Sequence, residues 1–282
     1  MWPLSLLQPA FDHLIDHGPE SVANDDEIEE TKPKRPDLLF DLGGWLTSPN
    51  GSILVNHYKS ERTCTLHTNG PQMVVWHWTA TKEGTADACA KRIMKLPKKD
   101  ERAASFHAAF DRDGHVAQSV PALLGSWHAG GATAHRMRFK NNGDWDISTN
   151  LTGLSANRIS YGIELVNVGE VCLINGQWRG WPFYTKNKDG TKTPAGPIIS
   201  ANECVEWQPT HRNAVKYYQS FSSAQLHTAT AFVIAFKTRF PHLSRADMSW
   251  THARIDPGRK TDPGPLWAEV ILPKILDEAG IK

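Results

Sequence analysis

The stretch Trp250-Thr-His-Ala-Arg-Ile-Asp-Pro-Gly-Arg-Lys-Thr-Asp-Pro-Gly-Pro265 limits what this chain can fold into more than any other. Pro257, Pro263 and Pro265, interleaved with Gly258 and Gly264, rule out a long helix or a central strand, because proline lacks a backbone donor and glycine is costly to order. The stretch is suited instead to holding His252, Lys260 and Asp262 on a stiff loop. Its counterpart lies far upstream. Met73-Val-Val-Trp-His-Trp-Thr79 is an apolar, β-branched run that reads as a buried strand ending at a polar residue, with His77 inside it. Three ligand-type side chains, His77, His252 and Asp262, can therefore meet.

Two neutral imidazoles and one carboxylate suit Zn²⁺, and three protein ligands leave a tetrahedral position open to water, the arrangement of a hydrolytic centre. Each residue alone has a plainer explanation. The chain has 13 histidines, and a single one near a strand end is usually a polar edge. Asp262 could cap a helix, because Pro263-Gly-Pro265 follows it and proline is favoured in a first helical turn. Lys260 could be a solvated loop charge.

From about Gln72 to Trp267 the chain resembles the zinc-dependent N-acetylmuramoyl-L-alanine amidases of the type 2 family, relatives of phage lysozyme-amidases and of peptidoglycan recognition proteins. The resemblance rests on Val75-Trp-His-Trp-Thr-Ala80, Ala104-Ser-Phe-His-Ala-Ala-Phe-Asp-Arg-Asp-Gly114 with Val116 and Gln118, Ser126-Trp-His-Ala-Gly130, Ile159-Ser-Tyr-Gly-Ile-Glu-Leu-Val166, and the closing block His252 to Pro265. It implies His77, His252 and Asp262 as zinc ligands, Glu164 as the catalytic carboxylate and Lys260 as a cation that stabilises the oxyanion. Lys260 stands eight positions after His252 and two before Asp262, the spacing of the cytosolic muropeptide-amidase branch. Phe106 occupies the position where some members carry a tyrosine, which argues against a tyrosine-assisted mechanism. The implied reaction is hydrolysis of the amide between N-acetylmuramic acid and L-alanine in bacterial peptidoglycan or muropeptides. A lytic, endolysin-like and antimicrobial cell-wall enzyme is expected; cytosolic muropeptide recycling and non-catalytic peptidoglycan binding are the alternatives.

Glu164 also stands out on its own. In Tyr161-Gly-Ile-Glu-Leu-Val166 the strand period puts Ile163 and Leu165 on one face and Gly162 and Glu164 on the other. A lone glutamate in such company is costly unless paired, so it is either functional or a satisfied structural carboxylate. His107 is open to both a hydrogen-bonded structural role and a functional one. In Trp127-His128-Ala-Gly-Gly131 the glycines let the backbone turn and leave an indole and an imidazole exposed. Trp127 and His128 are accordingly expected to line a sugar- or peptide-binding groove, which is where the family places them.

With 31 basic and 30 acidic side chains, no global field points to nucleic acid or an anionic membrane, and a monomer is expected. Eleven tryptophans are more distinctive. Trp127, Trp145, Trp178 and Trp181 sit in Gly-, Asn- and Lys-rich surroundings that fit sugar stacking or loop anchoring. Cys64, Cys89, Cys172 and Cys204 show no Cys-x-x-Cys pairing and read as free thiols. The opening Met1-Trp-Pro-Leu-Ser-Leu-Leu-Gln-Pro9 lacks a positive n-region and is not read as a signal peptide, and no apolar run reaches the ~20 residues of a membrane span. The expectation is a protein that is cytoplasmic as synthesised, with release by lysis or another export route.

The fold expected is α/β, a central mixed sheet flanked by helices with the zinc site in a surface groove. Residues 1–70 read as an extension, a charged tether to about residue 36 and then a possible hairpin from Ile53–Tyr58 and Cys64–Thr68. Residues 71–282 read as the catalytic domain, with a turn-rich, weakly periodic insertion at about 170–208. Strands are expected at about 72–78, 104–110, 115–119, 159–166 and 247–252. Helices are expected at Thr85 to Lys95, at Ser222 to Phe240 with a Ser222-x-x-Gln225 capping box, and at 265–278 with an interruption at Pro273.

Overall fold

The computed structural model describes residues 36–64, 70–80, 84–95, 104–130, 155–209, 215–256 and 259–282. The tether at the N-terminus and Trp145 lie outside these residues. A six-stranded mixed sheet runs in the order Trp250–Thr251, Met73–Trp78, Ser160–Leu165, Ala108–Phe110, Val116–Gln118, Val55–His57. The first four strands are parallel. Val116–Gln118 returns antiparallel to Ala108–Phe110, and Val55–His57 pairs parallel to it at the edge. All five expected strands are present, each within or close to its expected range.

The 37–70 region departs from the hairpin reading. Val55–His57 does extend the main sheet, but as a parallel strand, and Thr63–Cys64 pairs with Gly125–Ser126, while residues 65–68 of the second expected run lie outside the described residues. Leu38, Leu46 and Ile53 are buried in the main core, so this region supplies core residues as well as an edge.

Strand alternation decides which side of the sheet is core and which is site. Val74 and Trp76 of Met73–Trp78, and Tyr161, Ile163 and Leu165 of Ser160–Leu165, all enter the large apolar cluster. There they meet the helix Ser223–Arg239 through Phe232 and Phe236, with Trp76 edge-on to Phe232 at 6.0 Å and Tyr161 5.2 Å from Phe236. Met73, Val75 and His77 face the opposite side. Two smaller clusters cover that side. One joins Met73 and Val75 to Ala129, Ala156, Ile159, Trp250 and Ile255, and the other packs the helix Ala86–Lys95 onto Ala109 and Ala117.

The helix Ser223–Arg239 starts as expected, with the Ser222 hydroxyl accepting from the Gln225 N–H. The box does not close, because the Gln225 amide turns inward and donates to the carbonyls of Phe110 at 2.8 Å and Val166 at 3.3 Å. A reciprocal box forms instead at Ser244 and Asp247. The C-terminal helix widens before Pro273 into a π turn at Trp267–Ile271, where the Leu272 N–H reaches back to the Trp267 carbonyl. The wider turn suits a neighbouring proline that has no N–H to donate.

The turn-rich reading of residues 170–208 is corrected. Glu170–Ile174, Gln177–Gly180, Ile198–Ile199 and Cys204–Trp207 join Lys216–Gln219 in a five-stranded sheet, antiparallel throughout, and Tyr184–Lys186 pairs with Lys192–Pro194 in a separate hairpin. The second sheet meets the first at Trp78, which packs against Gly169 and Gly264 and lies 6.4 Å from the Tyr218 ring. A β-carbon at Gly169 would come within 2.5 Å of the Trp78 ring, so only glycine lets the second sheet approach there. All four cysteines are free thiols, and no helix among the described residues is long and apolar enough to cross a membrane.

Candidate active site

His77 and Glu164 stand in register on adjacent parallel strands, on the sheet face turned away from the main core. Their side chains therefore start as neighbours. His252 opens the short helix His252–Ile255, whose N-cap Thr251 accepts from the Arg254 N–H at 3.3 Å. The far end of the glycine- and proline-rich loop is tied to the same helix, because the Ala253 N–H donates to the Asp262 carbonyl at 2.8 Å. A loop anchored this way delivers the Asp262 carboxylate beside His252. Asp262 caps no helix; the N-cap of the turn Gly264–Leu266 is Pro263, and the Asp262 side chain faces the two histidines instead.

The Nδ1 atoms of His77 and His252 lie 2.9 Å apart, and Oδ2 of Asp262 is 3.1 Å from the first and 3.0 Å from the second. Hydrogen bonds cannot account for all three sides of this triangle. If both neutral rings donate to the carboxylate, two N–H groups crowd each other; if one ring donates to the other, the acceptor has no hydrogen left for Asp262. A cation between the three atoms satisfies all of them. Tetrahedral zinc with ligand distances of about 2.0–2.1 Å holds its donors about 3.3 Å apart, so these side chains fit the ion with only small adjustment. All three residues are buried.

Electrostatics point the same way. Burial pushes the His77 imidazole down to about 4 and so favours its neutral, ligating form. Burial works to raise Asp262, but the two histidines against its Oδ2, His252 and His77, outweigh it and hold the carboxyl well below the usual carboxylate range. Glu164 is pushed the other way. Burial, reinforced by the charge of Asp262, raises it well above the usual range, while the Lys260 charge pulls it back. The residue keeps some surface, yet its Oε2 is enclosed with no hydrogen-bond partner among the described residues. A largely enclosed carboxyl with its proton affinity raised, beside a metal-type cluster, is suited to carrying a proton. Lys260 is partly buried, two residues before Asp262, and its charge acts on both Glu164 and His77.

The five residues expected to carry the chemistry are thus brought together. The two expected to line a groove separate. Trp127 is 42% exposed, its backbone fastened to Ser105 on both sides. His128 was expected to be exposed and is instead 6% exposed, with Nδ1 2.9 Å from Nε2 of His77 and Nε2 2.9 Å from the Ser160 hydroxyl. The physical reason is Gly162. A β-carbon there would lie 2.4 Å from Cγ of His128, so the missing side chain is the space the imidazole fills. Asn157 pins the same segment, accepting from the Ala129 N–H at 2.7 Å and donating to the Gly130 carbonyl at 2.9 Å. Sequence reasoning missed Ser160 and Asn157; the available signal was a glycine inside a strand, which marks a close approach.

His107 is structural. It is fully buried, with Nε2 2.7 Å from the Leu124 carbonyl while Nδ1 accepts from the Gly162 N–H and faces the Ser126 hydroxyl. Phe106 packs in the apolar cluster around Ala86–Lys95.

Among solved structures, a selenomethionine derivative of AmpD aligns with 20% identity and a TM-score of 0.47 over 84% of this chain and 98% of that one. AmiD from E. coli, in complex with anhydro-N-acetylmuramic acid-L-Ala-D-gamma-Glu-L-Lys, aligns with 18% identity and a TM-score of 0.41 over 87% of this chain and 66% of that one. The catalytic domain of XlyA aligns with 18% identity and a TM-score of 0.42 over 79% and 99%. No curated protein matches the chain. The family model for N-acetylmuramoyl-L-alanine amidase matches residues 67–265, a span that holds His77, Glu164, His252, Lys260 and Asp262 together, and the chain belongs to that family of peptidoglycan amidases.

Proposed function

We propose that the chain is a zinc-dependent amidase that cleaves between the lactyl group of N-acetylmuramic acid and L-alanine, and that it acts on the cell wall as a lytic enzyme. The observation that carries the reading is the triangle of His77 Nδ1, His252 Nδ1 and Asp262 Oδ2 beside Glu164. Zinc held by these three residues supplies a Lewis acid that acidifies water and polarises the scissile carbonyl.

The remaining work falls to the chain's own side chains. Glu164, with no partner at Oε2 among the described residues, takes the proton from the attacking water and returns it to the departing amine of L-alanine. Its raised affinity for protons suits the second task, and the nearby Lys260 charge keeps it able to perform the first. Lys260, whose charge acts on Glu164 and His77, is the cation assigned to stabilise the negative charge that develops on the carbonyl oxygen. Exposed Trp127 offers a flat apolar face for a sugar ring.

The lytic assignment draws support from the added second sheet, which meets the main sheet at Trp78, the residue after His77, and beside Gly264, two residues after Asp262. Its hairpin region presents Trp181 and Tyr184 to solvent, 62% and 47% exposed. A polymer can use such remote surface; a small fragment cannot. Turnover of intact sacculi and of a soluble muropeptide should be compared with and without a deletion of the hairpin residues 184–194. The lytic reading expects a larger loss on sacculi. Equal losses point to a folding defect, and faster turnover of the muropeptide by the intact chain favours recycling.

A further inference from the structure

The hydrogen bonds that run from His77 to His128 and Ser160 have a single direction. Ser160 ends the short helix Ala156–Ile159, and its hydroxyl lies 2.5 Å from the Ala156 carbonyl, which can only accept. The hydroxyl hydrogen therefore points to Ala156, and the Ser160 oxygen is left to accept. Nε2 of His128, 2.9 Å away, must donate to it. The Nδ1 of His128 then carries a lone pair and accepts from Nε2 of His77, also 2.9 Å away. A neutral imidazole with its hydrogen on Nε2 has a bare Nδ1, the atom that faces His252 and Asp262. The opposite direction would leave Ser160 Oγ and the Ala156 oxygen 2.5 Å apart with no hydrogen between them.

We infer that His128 and Ser160 are positioning residues that fix the tautomer and orientation of His77, so that Nδ1 is presented to the metal. The inference rests on the zinc reading above and reassigns His128 from substrate contact to ligand support. The surroundings are built for this task. His128 is nearly perpendicular to His77, at 86°, occupies the space left by Gly162, and is followed by a backbone segment that Asn157 clamps on both sides. Partners of this kind, which hold the non-ligating nitrogen of a metal-binding histidine, typically change metal affinity by about 10–100-fold when lost.

Zinc affinity of the full-length chain, measured by competition with a chromophoric chelator, provides the test, with His128→Phe, His128→Gln and Ser160→Ala beside the wild type. His128→Phe should bind zinc about 10–100-fold more weakly. His128→Gln should recover most of that loss, because its amide oxygen can accept from His77 while its NH₂ donates to Ser160. Ser160→Ala should fall between the wild type and His128→Phe. Long-range ¹⁵N–¹H spectra of the unmutated chain give a second readout, with the hydrogen expected on Nε2 of both His77 and His128. A hydrogen on Nδ1 of His128 overturns the inference, as does a folded His128→Phe variant with wild-type zinc affinity. A wild-type chain that binds no zinc overturns the metal reading beneath it, a result distinct from either of these.

Discussion

Replacing Gly162 by alanine should damage the site without touching a ligand. Gly162 lies in a regular strand with no positive φ, so alanine carries no backbone penalty there. The added β-carbon would stand 2.4 Å from Cγ of His128 and 2.7 Å from both Cδ2 and Nδ1. Ordinary carbon contacts are about 3.5–4.0 Å, so the ring must retreat by roughly 1 Å. That movement stretches the two 2.9 Å bonds, to His77 and Ser160, beyond hydrogen-bonding reach. Leaving buried polar groups unpaired costs about 1–3 kcal/mol each, and partial rearrangement brings the sum to about 2–4 kcal/mol. For a chain of this size, about 2–4 °C per kcal/mol gives a fall in Tm of roughly 5–15 °C. Zinc affinity should weaken by about 10–100-fold along with it. Thermal melts followed by circular dichroism, with chelator competition on the same samples, measure both. A Gly162→Ala chain that melts within about 2 °C of the wild type and binds zinc equally well would show that His128 does not depend on the space at Gly162.

Glu164→Gln should retain zinc and fold but turn over about a hundredfold more slowly or worse, the usual contribution of a positioned general base; a near-normal rate would assign the proton to another group. Lys260→Ala should lower kcat by about 10²–10³ with zinc content unchanged, and Lys260→Arg should restore only part of it, because a planar guanidinium does not replace a compact ammonium. Wild-type kcat in the alanine variant would remove Lys260 from the mechanism. In the metal-free protein, His77 holds its proton only below about 4, whereas the unfolded chain takes it up near 6.5. Between these values the unfolded state binds more protons, so this contribution is fully present above pH 6.5 and is lost as pH falls towards 4, on the order of 3 kcal/mol in all. Urea titrations across that range should show a steeper loss for the wild type than for His77→Gln, and parallel slopes would contradict the assignment.

The parts of this protein that were legible in the sequence are those where a strong period or a rare spacing leaves little choice. Met73–Trp78 and Ser160–Leu165 alternate because one face enters a large core, and that alternation alone places His77 and Glu164 on the other face. The segment His252 to Pro265 carries the most specific part of the family resemblance, and that resemblance singled out Asp262. The second sheet was hidden because its strands are short and half-exposed; Leu173 and Ile198 face solvent while Gly176, Gly190 and Gly196 interrupt the pattern with positive φ. The burial of His128 was hidden for a different reason. It depends on a cavity created by Gly162 on a strand 34 residues later in the chain, and only the packed sheet brings the two together. In the same way Gln225 matches a capping-box position, yet tertiary acceptors on Phe110 and Val166 claim its amide.

The proposed function assigns His77, His252, Asp262 and Glu164 to hydrolysis of one bond, between N-acetylmuramic acid and L-alanine. Mass spectrometry of purified sacculi digested with the zinc-loaded chain tests it most directly. Intact stem peptides with a free L-alanine amine should be released from uncut glycan strands, and that release should be lost with Asp262→Ala and Glu164→Gln. Shortened glycan, or peptides cut internally with L-alanine still attached to the sugar, would contradict it.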